Sequence, residues 1–215
     1  MHLPLSRLGL NFDRHFFDHA YLRALYANFH ALDRFAFRSS QPSPRFIKKL
    51  ASRGVKSIIN LRGENGSAAF ALESEACDDI GVKLINTKLN SRRMPHIDEI
   101  DNFVAILDQI ETPFVIHCKS GADRAGLASA LYLLVAKKAS VSEAKKQLSL
   151  RYFHLAHSKT GILGYFLECY DRFNQQTPIP FMDWVHNHYD PELLSAGFRP
   201  SGLSNWLVDR VLHRE

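Results

Sequence analysis

Cysteine is scarce in this chain: Cys77, Cys118 and Cys169 are the only three in 215 residues. They are too few and too scattered for a disulfide framework or a zinc site, and a reduced, cytoplasmic chain is the expectation. Long apolar runs are missing as well. The longest, LASALYLLVA, falls well short of the ~20 residues that span a bilayer, so stable membrane insertion is not expected. The N-terminal MHLPLSRLGLNFDRHFFDH interrupts its apolar stretches with Arg7, Asp13, Arg14 and Asp18, and lacks the continuous apolar core of a signal peptide. No block of like charge occurs either. The 27 basic residues interleave with 22 acidic ones, which argues against a nucleic-acid-binding arm. The remaining excess of +5 suits anionic ligands: phosphate-bearing small molecules, peptides or lipids. Internal repeats and low-complexity linkers are also lacking.

What is present describes a packed domain. Hydrophobic residues make up 46% of the chain, 15 of them Phe, which is enough to build a core. Residues 16–32 have helical apolar spacing, and FAFRSSQPSP reads as a short strand ending in turn chemistry. Ser43 and Pro44 mark a helix start and Gly54 its end, bracketing a helix over 44–53. VKSIINLRG is a strand, AFALESEACDDIG a helix ending at Gly81, and VKLINTKL a second strand. IDEIDNFVAILDQI follows as a helix, PFVIHC as an apolar strand, and AGLASALYLLVAKK as a buried helix. Ser140 and Glu143 form a capping box for a helix over 141–150, and another is expected over 160–173. The tail from 178 reads as two helices packed on the domain. Strands alternating with helices predict an α/β fold with a mainly parallel central sheet flanked by helices. The expected division is a helical extension over 1–34, a main domain over 35–175, and a helical extension over 176–215.

The segment HCKSGADRAG (117–126) joins the strand PFVIHC to the buried helix. A loop there collects unpaired backbone N–H groups at the positive end of a helix dipole, so it favours anions. Gly121 lets the backbone curl into an anion-binding nest formed with Lys119, Ser120 and Ala122. Arg124 offers a planar fork for two phosphate oxygens. Cys118 then lies beneath the bound phosphorus, where the same positive charges favour the thiolate, a nucleophile. His117 is expected to orient the loop by hydrogen bonding, with its ring pointing away from phosphorus.

His117-Cys118, five further residues and Arg124 resemble the HCx5R signature of cysteine-dependent protein tyrosine and dual-specificity phosphatases. FRSSQPSP (37–44) is similar to the strand-turn that opens the atypical dual-specificity members, IINLRGE (58–64) to their second strand, and ALYLL to the helix behind the site. The resemblance covers residues 35 to about 170. It implies a metal-independent phosphomonoesterase with no cofactor, working through a phosphocysteine, with Cys118 as nucleophile and Arg124 binding phosphate. GADR further resembles the GKDR loop of a bacterial branch, whose loop aspartate is implicated as the general acid. That makes Asp123 the favoured acid, with Asp98 the alternative, although Asp98 also reads as a first-turn helix charge. Lys119, Arg92 and Arg93 are candidate rim cations for a phosphorylated protein or a small polyanionic phosphate. Arg62 is expected either at the same mouth or paired with Glu64. His154, His157 and Lys159 are candidate pocket-lining residues.

One position departs from the pattern. The residue after the signature arginine is commonly Ser or Thr, and here it is Ala125, with Ser120 the one nearby hydroxyl. The departure keeps a second function open, a phosphate-binding pseudophosphatase that recognises phosphorylated partners without turnover. His186 and His188, two apart, fall on different sides of a helix and do not read as a metal pair. Cys77 and Cys169 read as core thiols, either of them able to pair with Cys118 on oxidation. The oligomeric state is not legible.

Overall fold

A computed structural model describes residues 27–199. Within them a five-stranded sheet carries the strands β1 (His30–Ala31), β2 (Ala36–Ser40), β3 (Ser57–Asn60), β4 (Lys83–Asn86) and β5 (Phe114–Cys118). Their spatial order is β1-β2-β5-β3-β4, with β1 antiparallel to β2 and every other pairing parallel. The helices are α1 (Pro44–Ala51), α2 (Ala68–Ile80), α3 (Ile97–Gln109), α4 (Asp123–Val135), α5 (Val141–Lys145), α6 (Ile162–Gln176), α7 (Phe181–Asn187) and α8 (Pro191–Ser195). The expected α/β class with a mainly parallel sheet is what the chain adopts.

Local chemistry sets most of the boundaries. Ser43, Ser67 and Ser140 each accept a hydrogen bond from the backbone N–H three residues on, satisfying an otherwise unpaired donor at the starts of α1, α2 and α5. Gly81 ends α2 in the left-handed conformation at φ 77°, a turn that suits glycine.

The central strand β5 is buried along its whole length, and its alternation divides the core in two. Phe114, Ile116 and Cys118 join the larger cluster with α3, α4, α6 and α7. Val115 joins the smaller one with Ile47 and Leu50 of α1 and Ala76 and Cys77 of α2. Burial of each of these strand side chains contributes on the order of 1.5–3 kcal/mol. The same period of two turns Cys118 to the α4 face and sends His117 to the face covered by α1 and α2. β2 and β5 finish together, with Ser40 opposite Cys118, so both strands deliver their ends to one edge of the sheet.

Two expectations are corrected. The helix expected over 16–32 does not reach residues 27–32, and its first part lies outside the described residues. His30–Ala31 pairs with β2, whose edge would otherwise be open. Asp33 accepts the amides of Phe35 (2.7 Å) and Ala36 (2.9 Å), which closes a turn in place of a helix. The helix expected over 141–150 stops at Lys145; the chain turns and re-forms as a 3₁₀ segment, Leu150–Tyr152. Arg38 takes the Gln147 carbonyl there, at 2.7 Å, as an acceptor. In the tail, Trp184 and Val185 of α7 belong to the larger core, with Trp184 packed among Phe166, Tyr170 and Tyr189. The second tail helix, in SGLSNWLVDRVLHRE, lies outside the described residues.

Candidate active site

Residues 118–123 run from the end of β5 into the start of α4, and four successive carbonyls of this loop are fixed by partners elsewhere in the chain. Lys119 O accepts from the Gln41 amide (3.3 Å) and Ser120 O from Asn28 Nδ2 (3.2 Å). One Arg38 nitrogen donates to Gly121 O (2.7 Å) and Ala122 O (3.1 Å). A planar trans peptide turns the next N–H away from its carbonyl. Fixing these carbonyls outward therefore turns the amides of residues 120–123 to the opposite side, as an anion nest requires. The Gly121 amide points at Cys118 Sγ at 3.2 Å, and the Ala122 amide lies 3.4 Å from Ser120 Oγ. Gly121 has φ +74°, and a Cβ there would lie 2.6 Å from backbone atoms of Ser39 and Ser40. Only glycine fits this approach.

Arg38, fully buried on β2, is the hub of the arrangement. Besides the loop carbonyls it donates to the backbone and side chain of Gln147, and its guanidinium lies 4.0 Å from the Tyr152 ring centroid. Asn28 bridges the same groups from its other side, donating to Tyr152 O (3.2 Å) as well as Ser120 O.

Behind the loop, His117 points as its strand position dictates. Its Nδ1 lies 3.3 Å from Cys118 O, and its Nε2 lies 2.7 Å from Glu73 Oε1, both side chains fully buried. The Glu73 contact has the spacing of an ion pair without an aligned hydrogen bond. Glu73 Oε2 accepts from Gln41 (2.8 Å), whose own side-chain oxygen accepts from Arg62. Arg62 thus reaches the layer behind the loop through Gln41.

The other expected site residues divide. Asp123, 3% exposed, opens α4, and its carboxylate meets His154 Nδ1 at 2.7 Å. Lys119, Ser120 and Arg124 are half-buried on the loop, and Ala125 is fully buried in the first turn of α4. Arg92 is half-buried, its amide donating to Asn90. Arg93 spans both Glu99 oxygens (2.9 and 2.8 Å) and donates to Met94 O. Its fork braces the start of α3. Asp98 is exposed in the first turn of α3, beside a hollow lined by His96, Ile97, Glu99 and Pro191, with no residue of 117–124 among them. His157 and Lys159 are exposed.

His186 meets Asp101 at 2.8 Å while the His188 ring packs on Phe173, so the two do not converge. All three cysteines are free, and Cys77 sits in the smaller core, on the other face of the sheet from Cys118. Burial, then Glu73 and Asp78, push the Cys77 thiol up to about 12, which leaves it inert.

Residues 27–162 match the family described as DSP-PTPase phosphatase fused to NAD+ kinase. The chain belongs to this family. It is a cysteine-based phosphatase of the tyrosine and dual-specificity superfamily. No curated protein matches. Among solved structures, P. aeruginosa TpbA is similar at 16% identity and TM-score 0.53, covering 80% of this chain and 90% of its own. The core catalytic domain of the PP-IP phosphatase SIW14 from S. cerevisiae is similar at 20% identity and TM-score 0.55, covering 69% and 91%. At these identities the two structures speak for the fold, which is that of the DSP-PTPase domain.

Proposed function

We propose that this phosphatase hydrolyses phosphomonoesters through a phosphocysteine without a metal. Cys118 Sγ bonds to phosphorus as the ester P–O bond breaks. The inward amides of residues 120–123 and the Arg124 fork hold the equatorial oxygens. Asp123 gives its proton to the leaving oxygen. It then takes a proton from water, whose oxygen attacks phosphorus and releases inorganic phosphate and the thiolate. The observation that carries this reading is the outward fixing of four loop carbonyls around a buried thiol. Asp123 is preferred to Asp98 because it belongs to the loop itself, whereas the hollow beside Asp98 is lined by none of it.

The substrate class is a phosphotyrosine or phosphoserine/threonine protein, or a phosphorylated inositol or lipid. TpbA has been captured in complex with phosphotyrosine, and SIW14 is a PP-IP phosphatase. Lys119 and Arg92 supply positive charge suited to either. Three free thiols accord with a reducing, cytoplasmic setting, and among the described residues no helix is long and apolar enough to cross a membrane.

The test is hydrolysis of p-nitrophenyl phosphate by wild type and Cys118→Ser, with EDTA and reductant present. Turnover by the wild type alone is expected. Full activity in the serine variant, or loss of wild-type activity on chelation, would overturn the mechanism.

A further inference from the structure

Asp123 has a partner whose role the sequence left open. His154 Nδ1 lies 2.7 Å from Asp123 Oδ1, with the two side chains 0% and 4% exposed. The other ring nitrogen, Nε2, is buried and has no hydrogen-bond partner. A donor on Nε2 would be buried and unsatisfied, whereas a donor on Nδ1 reaches Oδ1 and leaves only a bare acceptor at Nε2.

The position of the ring is built with care. Phe153, next to it, adopts φ 66°, a left-handed conformation that strains a bulky residue. The adjoining Tyr152 shares Arg38 and Asn28 with the loop carbonyls, and the His154 amide donates to Ser149 O. The segment that carries His154 is therefore fixed to the same donors that shape the loop, and ring and carboxylate hold a constant relation.

Resting on the reading of Asp123 as the acid, we propose that His154 is a positioning residue for the proton-transfer step. Its Nδ1–H donates to Oδ1 and so favours the acid proton on Oδ2, the oxygen that exchanges it with the leaving group and later with water. Removing that donor weakens the preference, and proton transfer with it.

The experiment compares kcat/KM, which reports thiol phosphorylation, for p-nitrophenyl phosphate and phenyl phosphate. Nitrophenolate leaves with little help, whereas phenolate needs the acid. In His154→Leu the ratio of the two constants is expected to shift about 10–100-fold against phenyl phosphate, within the range that acid catalysis supplies. His154→Asn places an amide N–H where Nδ1 sits and should restore most of that ratio. His154→Gln, polar but with its amide nearer the Nε2 position, should not, and it decides the matter should the leucine variant fail to fold. Equal losses on both esters, or an asparagine variant as selective as the leucine one, would overturn the assignment and leave the phosphatase reading standing. A wild type without Cys118-dependent turnover of either ester would overturn both.

Discussion

Gly121→Ala isolates the closest approach in the loop. At φ +74° an alanine gives up roughly 1–2 kcal/mol to the left-handed conformation alone. The added Cβ would also lie 2.6 Å from Ser39 C and Ser40 N and 2.7 Å from Ser39 O. Overpacking of this kind adds about 1–3 kcal/mol. The obstructing atoms are backbone of β2, held in register with β5 at Ser39↔His117 and Ser40↔Cys118, so the loop is the part that yields. When it does, the Gly121 amide leaves Cys118 Sγ and the nest loses a donor, a defect worth about 10²–10³ in kcat for comparable sites. Gly54→Ala is the control. Gly54 has φ +86° with nothing within 4 Å of the added carbon, so it carries the backbone strain without the collision. Urea unfolding should show Gly121→Ala losing clearly more stability than Gly54→Ala, and only the former should lose p-nitrophenyl phosphate turnover. Equal stability losses, or full activity in Gly121→Ala, would refute the argument that β2 and the loop are in obligatory contact.

Arg38→Lys keeps the charge but cannot span both Gln147 and the two loop carbonyls. Losing two charged hydrogen bonds should lower stability by about 3 kcal/mol and weaken vanadate binding; an unchanged urea midpoint would refute the hub role. Asp33 gives a pH-dependent test. Burial alone would raise its carboxyl, but Lys137, the Phe35 amide, the Tyr132 hydroxyl and the Ala36 amide outweigh burial and hold it at about 2, below the ordinary 3.8. Because the folded value is the lower one, the stabilisation is present above pH 3.8 and is lost as pH falls through about 2. After allowance for solvent screening it amounts to about 1–2 kcal/mol. Asp33→Asn should therefore be less stable than wild type at pH 7 and converge on it near pH 2 in urea titrations; a constant gap would refute the assignment.

The parts of the fold that were legible are those set by local chemistry. Serine caps, Pro44 at a helix start, Gly81 at a helix end and the β-branched strands act within a few residues, and the elements they bound appear where expected. The misreadings share a cause. Apolar spacing over 16–32 continues into residues that β2 claims as an antiparallel partner, and the spacing itself says nothing about an unpaired sheet edge. The Ser140 cap starts α5 as expected, but its end is set by the Gln147 carbonyl meeting Arg38, 109 residues away in sequence.

The candidate site divides along the same line. Cys118, Gly121 and Arg124 are legible as candidates because a strand, a glycine and a helix start are adjacent in sequence. The residues that give the loop its geometry are not adjacent to it. Arg38 and Asn28 come from 83 and 92 residues away, and His154 reaches back 31. Two signals were nevertheless available. Arg38 is a charged residue inside a strand of a buried parallel sheet, a position that charge occupies only with partners. Glu73 falls on the stripe Ala69, Leu72, Ala76, Cys77 that α2 buries, and a carboxylate on an apolar stripe calls for a buried counterpart. The period of two in β5 supplies one. Cys118 faces α4, so His117 must face α2, and the one acid on the buried face of α2 is Glu73. Strand alternation and helix periodicity together would have paired these two residues before any coordinates were known. No local rule could have supplied the outward turn of four loop carbonyls, because β2 and the segment before it impose that turn. The geometry of the 118–123 loop is thus a property of the whole sheet edge, and substitutions at Asn28, Arg38 and Gln41 should disturb it as surely as those at Gly121.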